Sequence, residues 1–254
     1  MPAQRLDLRV FPDPKRLSQA VAAAFSATAC EKASLGKRFS VALTGGRTPR
    51  LLYQELATDF RAQVPWTHTH FFWSDERYVP PNHPDSNQRL ARESFLDHVP
   101  IPPENIHAPL THLEYPEEAA VLYEKAMKEF FSTGEPGFDW VLLGLGEDGH
   151  IASLFPGSPT LDAGGRWVVF VDGSPKPPPQ RLTMTLAGIN RAACVHFLVT
   201  GTGKKDALRA SLEGAPDPRR FPAHGVRPEN GTVTWWTDAS AAAGLSEAFA
   251  GTPS

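Results

Sequence analysis

Hydrophobic and polar positions along this chain of 254 residues follow two different periods. Short apolar runs, some with every second residue polar, predict β-strands at residues 5–11, 39–43, 70–73, 139–143, 167–171, 195–199 and 232–236. Longer stretches with apolar residues three and four apart predict helices at 15–32, 88–95, 117–131 and 205–212. A further helix is expected to open with Thr48 as its N-cap and Pro49 in its first turn, with Leu51, Leu52 and Leu56 on its apolar face.

The order of these elements predicts an α/β fold. Strands alternate with helices from end to end, and several strands are apolar on both faces, which is typical of a mostly parallel sheet covered by helices on both faces. No repeat or change of composition divides the chain, so we expect residues 1–254 to form one domain rather than two. Two proline-rich stretches, 174–179 and 215–228, are interpreted as surface loops.

Composition and charge narrow the function. A hydrophobic fraction of 41% is enough for a sizeable core, and a net charge of −3 provides no long-range field to attract nucleic acid or an anionic membrane. A small anionic substrate would therefore need a local basic pocket. Cys30 and Cys194 are too few for a disulfide framework and lack metal-ligand spacing. Since we identify neither a signal peptide nor a membrane-spanning segment, we expect a cytoplasmic protein.

The most informative loop follows the predicted strand at 139–143. It contains three glycines and places Asp148 two residues before His150. Ligands of open α/β sheets bind at the carboxyl ends of the strands, and histidine exchanges protons near neutral pH. We therefore predict that His150 acts as a general base, with Asp148 either orienting the imidazole or capping the loop. The alternative is an ordinary turn with a surface histidine.

Two glycine-containing loops lead from a strand into a helix. In Thr44-Gly45-Gly46, exposed backbone N–H groups and the helix dipole favour an anion. The loop from Gly201 to Lys204 repeats this arrangement and adds an ammonium group suited to a phosphate. Neither loop has the spacing of a Walker A or dinucleotide motif, so a nucleotide is not indicated. The alternatives are a plain tight turn and a solvated lysine.

A fourth loop, at residues 74–77, follows the aromatic strand. The guanidinium of Arg77 could bind a phosphate, and Asp75 could accept hydrogen bonds from sugar hydroxyls. The alternative is a cluster of surface salt bridges. The other eight histidines lack such a context and are interpreted as surface or packing residues, and Trp235 and Trp236 as core aromatics.

Together, four motifs resemble one family of enzymes. They are Thr-Gly-Gly-Arg-Thr-Pro at 44–49, Ser-Asp-Glu-Arg-Tyr-Val-Pro at 74–80, Gly-Leu-Gly-Glu-Asp-Gly-His-Ile-Ala-Ser-Leu-Phe-Pro at 144–156 and Gly-Thr-Gly-Lys-Lys at 201–205. The chain resembles the 6-phosphogluconolactonases, which are related to the glucosamine-6-phosphate deaminases, over about residues 38–212. The complete set of motifs is specific, although each motif alone is weak.

This resemblance implies a Rossmann-like sheet and an activity. The expected reaction is the hydrolysis of 6-phospho-D-glucono-1,5-lactone to 6-phospho-D-gluconate in the oxidative pentose phosphate pathway, without a metal or organic cofactor. We expect the only partner to be this sugar phosphate, with no nucleic acid or membrane, and the protein to be a monomer or weak homodimer. The residues expected to bind substrate are Thr44, Gly45, Gly46, Asp75, Arg77, Arg181 and Lys204, while Arg47, Arg77 and Arg181 are all candidates for the phosphate contact.

A deaminase and a sugar-phosphate sensor are the alternatives to the lactonase. Deaminases of the related group are expected to carry a glutamate shortly after the loop histidine, where this chain has Phe155, which cannot transfer a proton. A sugar-phosphate sensor would bind without turnover, but we identify no helix-turn-helix segment or basic face that would connect it to DNA.

Overall fold

The computed structural model describes residues 7–132 and 137–250, with nine strands and eight α-helices in them. The strands are β1 (Asp7–Phe11), β2 (Phe39–Leu43), β3 (Thr69–Trp73), β4 (Asp75–Arg77), β5 (Trp140–Leu143), β6 (Val168–Val171), β7 (Arg181–Met184), β8 (Cys194–Val199) and β9 (Thr232–Asp238). The helices are α1 (Pro14–Ser34), α2 (Arg47–Ala57), α3 (Asn87–Ser94), α4 (Pro116–Phe131), α5 (Leu186–Ile189), α6 (Lys205–Glu213), α7 (Ala239–Ala242) and α8 (Glu247–Ala250). Arg5 and Leu6 of the first predicted strand lie outside the described residues.

Six strands form one parallel sheet in the order β1-β9-β8-β5-β2-β3. Two of its interior strands, β2 and β5, are buried along their whole length. One cluster of buried apolar side chains includes residues of α1 and α2, and a second cluster includes residues of α4 and α6. The predicted mostly parallel sheet with helices on both faces is therefore confirmed.

A second sheet was not predicted. Strands β4, β7 and β6 form an antiparallel sheet of three strands, so the segment 75–77, predicted to be a loop, is a strand instead. Ser74 joins the two sheets, because its N–H donates to Leu43 O at 2.7 Å and its carbonyl accepts from Met184 N at 2.7 Å. The three consecutive charges indicated a loop, but pairing with β7, distant in sequence, decides the conformation.

Helices α1 and α3 begin with a side-chain N-cap, whereas the N-cap predicted for α2 is not observed. Asp13 caps α1 by accepting from Arg16 N at 2.8 Å, and Ser86 caps α3. The prediction that Thr48 caps α2 is wrong: the helix begins at Arg47, after Gly46 with a φ of 111°. The Thr48 hydroxyl instead lies 2.6 Å from that of Thr200, in the loop after β8.

The predicted burial of single residues is confirmed for the two tryptophans and wrong for Leu51. Trp235 and Trp236 are buried core residues as predicted, but Leu51 is 37% exposed rather than part of the apolar face of α2. Both cysteines are free; Cys30 is exposed and Cys194 is half-buried. Within the described ranges, no helix is both long and apolar enough to cross a membrane.

Buried His196 makes the stability of the fold depend on pH. Its Nδ1 accepts from Trp236 Nε1 at 3.0 Å, and burial lowers its pKa from 6.5 to about 3. Between these two pH values the unfolded chain binds a proton that the folded chain does not, so stability is lost as the pH falls through this window.

We expect the free energy of urea unfolding to fall between pH 7 and pH 5, with His196 contributing about 2 kcal/mol of the loss. His196→Gln can still accept from Trp236 but does not titrate, so its loss over this range should be smaller by that amount. His112→Gln, at an exposed position, is the control. Equal losses in wild type and His196→Gln would contradict the assignment.

Candidate active site

A cleft of about 480 Å³ opens at the carboxyl ends of the parallel strands. Its walls include loops that follow β2, β5 and β8, together with residues of β4 and β7. Of the residues predicted to form the site, the cleft brings together Thr44, Gly45, Gly46, Asp75, Arg77, His150, Arg181 and Lys204, and Arg47 lies beside them. Asp148 does not line the cleft but contacts His150 from behind its wall.

The loop after β5 holds Asp148 against His150. Nδ1 of His150 lies 2.5 Å from Oδ1 of Asp148, and the imidazole is 20% exposed. The turn closes through Gly146 N donating to His150 O at 2.8 Å. A Cβ atom on Gly146 would lie only 2.0 Å from Nδ1 of His150, so glycine is required there for the pair to form.

The short contact determines which imidazole nitrogen carries the proton. Burial alone would raise the pKa of Asp148, but hydrogen bonds and charges from His150 and Lys176 outweigh it and bring the pKa to about 2. An ionised carboxylate this close to Nδ1 requires a proton between them. Nε2 is then left with its lone pair, and since burial lowers the pKa of His150, the imidazole is neutral at neutral pH. The pair is therefore arranged as a general base.

Phe155 packs against the same imidazole, with ring centroids 4.7 Å apart and planes tilted by 33°. Phe155 is buried, and its ring has no proton to exchange. The histidine thus has the Asp148 carboxylate at Nδ1 and an apolar ring at its side.

A cationic region lies in the same cleft around the start of α2. Arg47 and Lys204 both line it, and burial lowers the pKa of Lys204. Among the described residues, the N–H groups of Gly45 and Gly46 have no hydrogen-bond acceptor and are available to an anion. Thr44 can offer only its hydroxyl, because the Tyr53 hydroxyl occupies both its N–H and its carbonyl.

The two remaining arginines are held differently. Arg77 and Arg181 are paired across β4 and β7. Arg77 donates from Nη1 to Asp85 O at 2.6 Å, while its buried Nε has no acceptor among the described residues. Arg181 is 4% exposed and donates from Nε to Pro178 O and from Nη2 to Lys176 O and Pro177 O, at 2.8, 3.1 and 3.0 Å.

Carboxylates at the start of β4 shape the wall. Asp75 is buried and accepts from Ser153 Oγ at 2.7 Å and from Asn87 Nδ2 at 3.4 Å. Asn87 in turn requires Gly45, since a Cβ there would lie 1.9 Å from Asn87 Oδ1. These contacts fix Asp75 at the cleft while leaving each oxygen a further lone pair.

Sequence reasoning missed two residues. Glu76 accepts from the backbone N–H groups of Arg77, Asn87 and Gln88 at 2.7, 2.7 and 2.6 Å, anchoring the start of α3, and burial raises its pKa to about 7. Lys176 lies 3.2 Å from Oδ1 of Asp148. Lys176 had no local signal, because Asp148 is distant in sequence, and the partners of Glu76 are backbone N–H groups, which no side-chain motif reveals.

The described side chains do not form a metal site. Among residues 7–132 and 137–250, no group of three or more His, Cys, Asp or Glu side chains is placed to hold a metal ion. Asp75 is the carboxylate among the described lining residues of the cleft, beside His150, the basic side chains and the backbone amides.

Comparison with known proteins shows the family to which the chain is similar. The family model described as "Glucosamine-6-phosphate isomerases/6-phosphogluconolactonase" matches residues 12–235. The chain is 45% identical to 6-phosphogluconolactonase of Synechocystis sp. over 211 residues, 81% of this chain and 84% of that protein. It is 38% identical to 6-phosphogluconolactonase of Mycobacterium leprae over 242 residues, 93% of this chain and 97% of that one. The crystal structure of 6-phosphogluconolactonase from Thermotoga maritima superposes with a TM-score of 0.78 at 33% identity, covering 92% of this chain and 100% of that chain.

The effect of Asp148 on the His150 imidazole can be measured without substrate. Asp148 raises the pKa of His150 through its hydrogen bond and its charge, so Asp148→Asn should lower that pKa further and shift the neutral ring toward the Nε2–H tautomer. Titration of the imidazole ¹⁵N resonances by NMR measures both effects. Asp162→Asn, at a surface carboxylate paired with Arg219, should change neither. A wild-type titration in Asp148→Asn would show that the contact does not act on the ring.

Proposed function

Because this chain belongs to the glucosamine-6-phosphate isomerase/6-phosphogluconolactonase family, we propose that its cleft hydrolyses 6-phospho-D-glucono-1,5-lactone to 6-phospho-D-gluconate. It is a carboxylic ester hydrolase acting on a sugar-phosphate lactone, and the reaction is the second step of the oxidative pentose phosphate pathway. The observation that carries the proposal is a base, His150 oriented by Asp148, in one cleft with Arg47, Arg77 and Lys204.

In the proposed reaction, His150 activates water. Nε2 takes a proton from the water molecule as its oxygen attacks the lactone carbonyl carbon. The tetrahedral intermediate then breaks the bond between that carbon and the ring oxygen, and the imidazolium returns the proton to the ring oxygen. Asp148 stabilises the imidazolium while it exists, and backbone N–H groups of the cleft stabilise the oxyanion. Water is added across the ester, and the product acid ionises.

The 6-phosphate is proposed to bind at the cationic region. Lys204, Arg47 and Arg77 supply positive charge, and the N–H groups of Gly45 and Gly46 supply donors at the start of α2. The hydroxyl of Thr44 adds a further donor. Binding energy from the phosphate, remote from the reacting carbonyl, positions the lactone in front of the imidazole.

Asp75 and Arg181 receive different roles. The buried Asp75, fixed by Ser153 and Asn87, is proposed to accept hydrogen bonds from sugar hydroxyls. Arg181 lines the cleft, and three carbonyl groups accept from Nε and Nη2 of its guanidinium, so that Nη1 keeps its donors for a ligand. We therefore propose that Arg181 holds the 174–179 loop and binds substrate through Nη1, and that Arg47 and Arg77 contact phosphate.

A deaminase reaction is less well supported. It requires several coordinated proton transfers, while Phe155 occupies the place beside His150 where a second acid would be expected. Release of ammonia from glucosamine 6-phosphate would revive that alternative. A sensor that binds without turnover would not need the oriented base.

We further infer that residues 1–254 form one domain and act in the cytoplasm as a monomer or weak homodimer. The proposed base and phosphate-binding residues, from Thr44 to Lys204, lie in one cleft of a single chain, which supports a self-sufficient protomer. Free Cys30 on the surface suits a reducing compartment.

Replacing the base tests the reaction directly. We expect His150→Ala to lower kcat by about 10²- to 10⁴-fold, measured on freshly generated lactone and corrected for its spontaneous opening. His112→Ala, at an exposed position, should retain wild-type turnover. If His150→Ala retained near-normal turnover, His150 would not be the base.

Replacing the cleft lysine tests the phosphate site. Lys204→Ala removes a charge that acts on the remote phosphate, so KM should rise about 10- to 100-fold with a smaller change in kcat. Lys205→Ala changes the neighbouring residue, which does not line the cleft, and should leave KM unchanged. An unchanged KM in Lys204→Ala would place the phosphate elsewhere.

A further inference from the structure

Lys176 lies beside the catalytic pair without lining the cleft. Its Nζ is 3.2 Å from Oδ1 of Asp148 and 3.4 Å from Nδ1 of His150. The described cleft wall contains Lys204 and Arg47 but not Lys176. The ammonium group therefore faces the side of the imidazole away from the lone pair on Nε2, and its described contacts are with Asp148 and His150.

The backbone of Lys176 is firmly held. Ser174 Oγ accepts from Lys176 N at 3.2 Å and donates to Lys176 O at 2.9 Å. Buried Arg181 donates to Lys176 O at 3.1 Å and to Pro177 O at 3.0 Å. The prolines that follow further restrict the chain. The ammonium thus extends from a fixed point toward the loop after β5.

Two donors converge on one carboxylate oxygen. Nδ1–H of His150 and Nζ–H of Lys176 both point to Oδ1 of Asp148, at 2.5 and 3.2 Å. The Asp148 side chain is 38% exposed and sits in a turn, so the histidine alone leaves it room to rotate toward solvent. A second, cationic donor restricts that rotation.

We propose that Lys176 is a positioning residue of this enzyme: its ammonium group holds the Asp148 carboxylate in the orientation that receives Nδ1–H of His150. This inference rests on the proposed function, because it takes His150 as the base. Arg181 and Ser174 are the residues that keep Lys176 in reach.

The same ammonium acts on the charge state of the base. Three charged groups act on the imidazole: Asp148 and Asp75 raise its pKa, and Lys176 lowers it, in addition to the larger lowering by burial. Lys176 therefore opposes the two carboxylates and keeps the ring unprotonated to lower pH. Loss of this charge by itself would raise the pKa of His150, whereas loss of the Asp148 contact would lower it.

The test compares Lys176→Met with Lys176→Arg. In Lys176→Met we expect kcat at pH 7 to fall about 10- to 100-fold, because the base is less well oriented. The acid limb of the pH profile of kcat/KM should move away from its wild-type pH, because the lost ammonium raises the pKa of His150 while a displaced Asp148 lowers it. KM should stay within about twofold, since Lys176 does not line the cleft. Lys176→Arg keeps the charge and should restore the acid limb. Lys125→Met, on an exposed part of α4, is the matched control.

Titration of the His150 ¹⁵N resonances gives a readout that does not depend on turnover. The fraction of the Nδ1–H tautomer of His150 should fall in Lys176→Met and return toward wild type in Lys176→Arg, because a displaced Asp148 no longer receives that proton. If Lys176→Met does not fold, Lys176→Gln, which keeps a polar side chain in the loop, provides the same comparison.

A Lys176→Met enzyme with wild-type kcat and an unmoved acid limb would overturn the proposal, as would a change confined to KM. These results are distinguishable from failure of the proposed function. If the proposed function fails, His150→Ala retains its turnover. If His150→Ala is inactive while Lys176→Met is unaffected, only the role of Lys176 is rejected.

Discussion

Parallel pairing of β2, β5 and β8 is the constraint on which the cleft depends. Because the three strands run in one direction, the loops that follow them emerge at one edge of the sheet. That edge receives the start of α2, the Asp148–His150 turn and Lys204, although about 160 residues separate the first from the last. A reversed central strand would move its loop to the other edge and separate the base from the cations.

The parts of the structure that depend on neighbouring residues in the sequence were predicted from local patterns. Apolar periodicity located the six strands of the main sheet, and the acid two residues before His150 made the pair recognisable. The antiparallel sheet was missed, because Asp75-Glu76-Arg77 is charged throughout and becomes a strand only by pairing with β7. Lys176 was missed for a similar reason: the proline-rich sequence around it does not indicate that its ammonium group contacts Asp148.

Burial and charge oppose each other throughout the cleft. Burial lowers the pKa of both His150 and Lys204, while carboxylates nearby raise them. Asp148 raises the pKa of both groups, and Lys176 lowers the pKa of both. The balance leaves a neutral imidazole and a cationic lysine within one small volume, which is the combination that an anionic ester requires.

Gly45 and Gly146 set limits on redesign of the enzyme. At both positions even a methyl group would collide with a side chain that the cleft needs, Asn87 in one case and His150 in the other. Combinatorial libraries aimed at bulkier or differently substituted lactones should therefore leave these two codons untouched. Diversity is better introduced at Leu51, a partly exposed apolar residue on the rim, where new side chains can extend into solvent.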